Sequence, residues 1–217
     1  MIRTESVDKF ISQYYRPVNS QMGALRKQGE DEHIPIILKE TEMYLSSILN
    51  IIKPKRILEI GAAIGYSTLF FSHVCPEAVI MSVERDDKMW NRAKENVFSQ
   101  GKEDQIFICH GDASELFSML KEEGDWHVDP FDFIFIDAAK GHYKEFFERI
   151  LPITKSGSVI VCDNILMKGM TAEEDINRRY RTSIIRMRNF IDYLYQMSNS
   201  STQVLSLGDG ISITRID

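Results

Sequence analysis

The sequence predicts an α/β fold: a doubly wound, mostly parallel sheet finished by an antiparallel hairpin and preceded by a helical segment. Three observations predict it. From Arg56 onward, short apolar runs alternate with amphipathic stretches of helical spacing, and that alternation calls for right-handed strand–helix–strand crossovers. The apolar runs are near-continuous, which means burial on both faces, as in a parallel sheet. Near the end, Gly208-Asp209-Gly210 separates two strand-like runs, and Asp-Gly after an alternating run is a strong hairpin signal.

The elements follow in order. Ser6 is suited to cap a first helix running to Tyr15, and a second spans about Ser20 to Glu30. A third is expected from Pro35, a residue suited to a first helical turn, to about Ile52. Ile36, Ile37, Met43, Tyr44, Ile48 and Ile51 give it an apolar stripe, and Pro54 ends it. Strands are expected at Arg56–Ile60, Ala78–Val83, Gln105–His110, Phe131–Ile136 and Ser158–Cys162. Between them lie expected helices Tyr66–His73, Asp87–Ser99, Ala113–Lys121 and Tyr143–Pro152. After Cys162 come a loop, a long helix from about Asp175 to Met197, and hairpin strands Gln203–Leu207 and Ile211–Arg215. No repeat, low-complexity tract or linker divides the chain. Residues 1–217 are therefore expected to form one domain, with 1–52 a helical cap and 56–217 the core.

Composition narrows the function classes. The chain has 217 residues, 43% hydrophobic and 27% charged, enough for a full core without disulfide or metal staples. Disordered, collagen-like, coiled-coil and disulfide-scaffold readings are excluded. Lys and Arg total 26 against 32 Asp and Glu, a net charge of −6, so the molecule as a whole is no generic polyanion binder. Cys75, Cys109 and Cys162 form no CxxC pair, which argues against a zinc knuckle and fits a reducing cytoplasm. The opening MIRTESVDKF has no apolar core and does not read as a signal peptide. The charge-free stretch Ile60–Pro76 is too short and polar to cross a bilayer. No membrane partner is expected.

A ligand site is expected at the carboxyl ends of the strands, where doubly wound sheets collect ligands. Ile57-Leu58-Glu59-Ile60-Gly61-Ala62-Ala63-Ile64-Gly65-Tyr66-Ser67 reads as strand, glycine turn and helix start. Gly61 allows close backbone approach to a ligand and Gly65 opens the helix. The glycines fall as GxxxG, without the middle glycine that a pyrophosphate needs, and no Gly-Lys-Ser or Gly-Lys-Thr follows. The site therefore suits a nucleoside without a pyrophosphate. Glu84 ends the second strand, 23 residues after Gly61, where an acid accepts hydrogen bonds from ribose hydroxyls. Asp112, after the third strand, can cap the next helix and also meet an adenine amino group. Glycine turn, Glu84 and Asp112 in that order resemble the S-adenosylmethionine (SAM) layout of class I methyltransferases with a Rossmann-like sheet.

A second constellation lies beside it. Strand four ends in Asp137-Ala138-Ala139-Lys140 and strand five in Asp163-Asn164. Neighbouring strands would bring Asp137, Asp163 and Asn164 to one edge. Two carboxylates and an amide oxygen are hard ligands, suited to Mg²⁺, Mn²⁺ or Ca²⁺ and not to zinc.

These motifs, with Glu59–Ser67, Glu84, Gly111–Ala113 and the Gly208–Gly210 turn, resemble the metal-dependent O-methyltransferases of the catechol and caffeoyl-CoA type. The resemblance implies Mg²⁺, or Mn²⁺, on Asp137, Asp163 and Asn164. It implies SAM contacts from Glu59, Gly61, Gly65, Ser67, Glu84, Asp112 and Ala113, Asp137 near the cofactor, Ile37 over the SAM site, and Lys140 as general base. It also suggests a homodimer. Asp31-Glu32-His33-Ile34-Pro35, Ala62–Ser67, Asp137–Gly141 and Asp163–Gly169 look further like the bacterial tRNA 5-hydroxyuridine methyltransferases. That narrower likeness implies a tRNA anticodon partner and 5-methoxyuridine as product. A small catechol-like phenol is the alternative acceptor. Arg178, Arg179, Arg181, Arg186 and Arg188 occupy a stretch without acids. The first three, with Lys168, are the candidate RNA contacts, against a solvated helix face or a subunit contact.

Overall fold

The computed structural model describes residues 5–122, 125–126, 129–176 and 178–217. Part of the opening segment, and Asn177 within the expected long helix, lie outside the described residues. The N-terminal helices are α1 (Glu5–Ser12), α2 (Ser20–Asp31) and α3 (Lys39–Ile52). The alternating region supplies β1 (Arg56–Ile60), α4 (Tyr66–Val74), β2 (Val79–Glu84), α5 (Asp87–Ser99), β3 (Ile106–His110) and α6 (Ala113–Met119). A short hairpin of β4 (Lys121–Glu122) and β5 (Asp125–Trp126) follows, then β6 (Phe131–Ile136), α7 (Tyr143–Ile150), a 3-10 turn and β7 (Thr154–Cys162). The chain finishes with α8 (Arg181–Gln196), β8 (Ser200–Leu205) and β9 (Ile211–Ile216).

Seven strands form one sheet in the order β3-β2-β1-β6-β7-β9-β8. Pairings from β3 through β7 are parallel, while β9 runs antiparallel to both β7 and β8. The expected doubly wound sheet with its C-terminal hairpin is therefore observed. Strand residues alternate between the two faces. Ile57, Phe133, Phe135, Val159 and Val161 pack under α3 and α4, whose Leu45, Leu49, Phe70 and Phe71 join the same cluster. Leu58, Ile60, Ile134, Ile136 and Ile160 pack with Phe147 of α7 and Phe190 of α8. Phe71 meets Phe133 and Phe135 edge-on, with ring centroids 5.8 and 5.4 Å apart, the arrangement aromatic quadrupoles favour.

Two helices start later than expected. α3 begins at Lys39 because Leu38 is extended (φ −68°, ψ 154°) and the Ile37 carbonyl accepts a hydrogen bond from the Arg26 guanidinium at 3.0 Å. α8 begins at Arg181 instead of Asp175. Arg188 donates to the carbonyls of Thr171 (2.8 Å) and Glu173 and holds the preceding segment in turns. The β4–β5 hairpin had no expectation, since it replaces the end of a helix expected to reach Lys121. β7 starts four residues before the expected Ser158 and carries Gly157 at φ 88° within it. Among the described residues, no helix is long and apolar enough to cross a membrane.

Candidate active site

The strand order sets the site. β1 lies between β2 and β6, so the loops leaving β1, β2 and β6 meet at one carboxyl edge. A cleft of about 510 Å³ opens there, walled by Pro35–Ile37 on one side and the Gly61–Ala63 turn, Ser67, Glu84, Asp137, Lys140 and Asn164 on the other. A smaller pocket of about 110 Å³ shares Gly61 and Glu84 with it and extends to Asp112, Ala113 and Phe146. Ile37 (2% exposed) closes the large cleft from the N-terminal side.

The glycine turn is built by its neighbours. Gly61 has φ +98°, and a Cβ there would stand 2.0 Å from the Asp137 carbonyl oxygen. Only glycine fits, because β6 crosses so closely. Gly65, also left-handed (φ +77°), precedes α4, and a Cβ there would stand 3.2 Å from the Ala93 Cβ of α5. Expected among the cofactor contacts, it faces α5 instead of the cleft wall. Glu84 is the residue that secures the turn. Its carboxylate accepts the Ala63 N–H and the Asp86 N–H, each at 2.8 Å, so it is held in place while facing both pockets. Asp112 accepts from the Ser114 N–H at 2.9 Å and from the Ser114 hydroxyl. Those Ser114 bonds hold its carboxyl below the usual range. The residue thus caps α6 and lines the small pocket together.

Glu84→Ala should therefore weaken SAM binding by about 1–3 kcal/mol, the cost of leaving buried donors without a charged acceptor. Calorimetry with SAM checks this. Unchanged affinity would reduce Glu84 to a tie for the turn.

Glu59, another expected cofactor contact, lies beneath the cleft instead of on its wall. It is fully buried. Its Oε2 accepts from Ser82 at 2.6 Å and from Thr68, while Oε1 has no hydrogen bond of ordinary geometry among the described residues. Burial pushes its carboxyl from 4.5 up to about 7, against the Ser67, Ser82 and Thr68 hydroxyls that favour the ionised form. The folded protein keeps this proton where the unfolded chain has released it. Glu59 should thus erode stability as pH rises from about 4.5 to about 7, by up to about 3 kcal/mol, with no further loss above. Denaturant unfolding at pH 5 and pH 8 should show a smaller drop for Glu59→Gln than for wild type. Equal drops would place the pH dependence elsewhere.

Asp137 and Asp163 leave adjacent strands whose last residues, Ile136 and Cys162, are in register. The Asp163 N–H donates to the Ile136 carbonyl at 2.9 Å. Asn164 sits at φ +60°, a conformation Asn tolerates, and its N–H binds the Asp163 carboxylate at 2.7 Å. Burial raises the carboxyls of both Asp137 and Asp163, and each is raised further by a neighbouring carboxylate. Lys140 opposes this at Asp137. Its Nζ lies 3.3 Å from Asn164 Oδ1 and 3.6 Å from Asp209 Oδ2. Asp209, read in the sequence only as a turn residue, thus reaches the site from the β8–β9 turn. Three backbone-directed bonds tie that turn to the loop after β7: Ile165 N–H to Gly210 O, Leu166 N–H to Asp209 O (both 3.0 Å), and Lys168 N–H to the Asp209 carboxylate.

This donor set fits a divalent cation. Two buried carboxylates that repel each other, beside an amide oxygen, are stabilised by a positive charge between them. Among the described residues, no group of three His, Cys, Asp or Glu side chains is gathered for a metal; a cation here would draw on the Asn164 amide beside the two carboxylates.

The arginine-rich stretch is divided. Arg188 is committed to the Thr171 and Glu173 carbonyls, and Arg186 reaches the Gly141 carbonyl at 3.4 Å. Arg178, Arg179, Arg181 and Lys168 are exposed. Arg186 contacts the residue after Lys140, which brings the first turns of α8 to the lip of the site.

A sheet of this order, with a nucleoside-sized cleft at the carboxyl ends of β1, β2 and β6, defines the fold of the class I SAM-dependent methyltransferases. The chain belongs to the O-methyltransferase family, whose profile matches residues 14–216. It is 31% identical over 174 residues to a catechol O-methyltransferase of Niastella koreensis, covering 79% of this chain and 77% of that protein. A solved structure from Staphylococcus aureus, described as a candidate caffeoyl-CoA O-methyltransferase, superposes with a TM-score of 0.89 at 28% identity, over 98% of this chain and all of the other. An SAH-bound methyltransferase of Podospora anserina shares the fold, with a TM-score of 0.86 at 22% identity over 100% of this chain and 97% of the other.

Proposed function

We propose that this O-methyltransferase transfers the methyl group of SAM to the hydroxyl of a small catechol-like phenol, one that carries a second oxygen on the adjacent carbon. The carrying observation is the meeting of Asp137, Lys140 and Asn164 on the wall of the cleft, with Asp163 buried next to Asp137 and Asn164. The relatives named for catechol and caffeoyl-CoA support the same acceptor chemistry.

A divalent cation, Mg²⁺ or Mn²⁺, held by Asp137, Asp163 and Asn164 would lower the pKa of the acceptor hydroxyl and fix its direction through the neighbouring oxygen. The chain's own residues do the rest. Glu84 holds the ribose, and Asp112 with Ala113 borders the adenine. Ile37 closes the cleft from above and keeps water from the methyl group. Lys140 Nζ takes the hydroxyl proton, acting as general base. The phenolic oxygen forms its bond to the methyl carbon as the carbon–sulfur bond breaks in line, leaving SAH. Alignment of acceptor and cofactor supplies much of the rate.

A second reading keeps the chemistry and changes the acceptor to tRNA 5-hydroxyuridine, whose 5-hydroxyl and C4 carbonyl are also adjacent oxygens. Exposed Arg178, Arg179 and Arg181, at the start of α8 and just before it, favour it, but none of the relatives named above carries an RNA substrate in its name. Methyl transfer from labelled SAM to a catechol panel and to 5-hydroxyuridine-containing tRNA separates the two. The first reading expects rapid catechol turnover and no RNA labelling. If tRNA is the acceptor, replacing the three arginines by Ala should raise its KM in a salt-dependent way.

A further inference from the structure

The wall formed by Pro35–Ile37 has no regular structure of its own, and its carbonyls need partners from elsewhere. One partner is unusual. Arg26 of α2 is only 4% exposed, an uncommon fate for arginine. Its Nη2 donates to the Ile37 carbonyl at 3.0 Å and also binds Glu42 of α3, itself 2% exposed. Nε donates to the hydroxyls of Tyr15 (2.9 Å) and Tyr66 (3.0 Å). Tyr66 completes the ring by donating to Glu42 at 2.7 Å. Tyr66 is the first residue of α4, directly after the glycine turn, and it lines the cleft. One guanidinium therefore touches both walls of the cofactor cleft.

We propose that Arg26 is a positioning residue for cofactor binding: it fixes Ile37 opposite Ser67 by bridging the Ile37 carbonyl and the Tyr66 hydroxyl. The inference rests on the reading that this cleft holds SAM. A buried ion pair is a poor device for stability alone, since apolar side chains of similar volume often serve as well. What apolar side chains cannot do is hold a carbonyl and a hydroxyl in a set direction. Arginine, with donors in a fixed fork, can.

The test pairs Arg26→Met with Glu42→Leu, which leaves no lone buried charge, and compares the double variant with Arg26→Lys, which keeps the charge without the fork. SAH affinity is measured by calorimetry well below each melting temperature. A folded variant of either kind should bind SAH about five- to tenfold more weakly, the equivalent of one lost hydrogen bond. At saturating SAM, kcat and the acceptor KM should stay near wild type, a split that a general loss of structure would not produce. A folded variant with wild-type SAH affinity overturns the inference, and so does failure of both variants to fold, which makes the ion pair a folding element. Wild-type protein that binds no SAH would instead overturn the cofactor reading beneath it.

Discussion

Asp163→Ala is expected to lower turnover by about 10³-fold, because Lewis-acid stabilisation of a developing oxyanion is worth several kcal/mol, while SAH binds as it does to wild type. EDTA should abolish wild-type activity, and Mg²⁺ or Mn²⁺ should restore it. The electrostatics make the stability side of this prediction specific. In the absence of a cation, the Asp163 carboxyl is raised by burial and by Asp137, so its ionised form strains the fold at neutral pH. Removing it should leave the chelated protein no less stable, although the Asn164 N–H loses its acceptor. Adding Mn²⁺ should raise the melting temperature of wild type and not that of Asp163→Ala. Full activity in metal-stripped wild type, or equal thermal shifts in both proteins, would remove the cation from the account.

Lys140→Ala should slow methylation of every acceptor by about 10²–10⁴-fold, the range spanned by a positioned general base, with little change in SAH affinity. Lys140→Arg should not rescue it. A guanidinium keeps the positive charge beside Asn164 and Asp209 but stays protonated and accepts nothing. Rate measurements at saturating SAM and acceptor decide between the roles. Activity restored by arginine would mean that Lys140 acts as a fixed charge.

Much of this was legible in the sequence because strand periodicity and chemistry coincide. The near-continuous runs at Phe131–Ile136 and Ser158–Cys162 mark central strands, and the residues just past them, Asp137, Asp163 and Asn164, must fall on the ligand-binding edge. Glu84 and Asp112 were legible for the same reason. Features that depend on a single long-range hydrogen bond were not. Nothing in the apolar stripe starting at Ile36 reveals that Arg26, eleven residues before Ile37, takes the Ile37 carbonyl next to the extended Leu38. Nothing in the acid-free arginine run says that Arg188 reaches back to Thr171 and Glu173. The Gly208–Gly210 turn was readable as a hairpin, yet the approach of Asp209 to Lys140 depends on the antiparallel packing of β9 on β7. Glu59 and Gly65 share the strand–turn motif with Gly61, but where each is packed does not show in the periodicity. In the fold one lies under the cleft and the other against α5.

The central claim is that the site requires two adjacent oxygens on its acceptor, brought together by Asp137, Asp163 and Asn164 and deprotonated by Lys140. It is tested most directly by comparing methyl transfer to catechol and to phenol, with purified protein, SAM and Mg²⁺, read by mass spectrometry of the products. The account predicts the monomethyl ether of catechol in quantity, its loss on chelation, and no anisole from phenol under either condition. Equal methylation of phenol and catechol, unaffected by chelator, would contradict it.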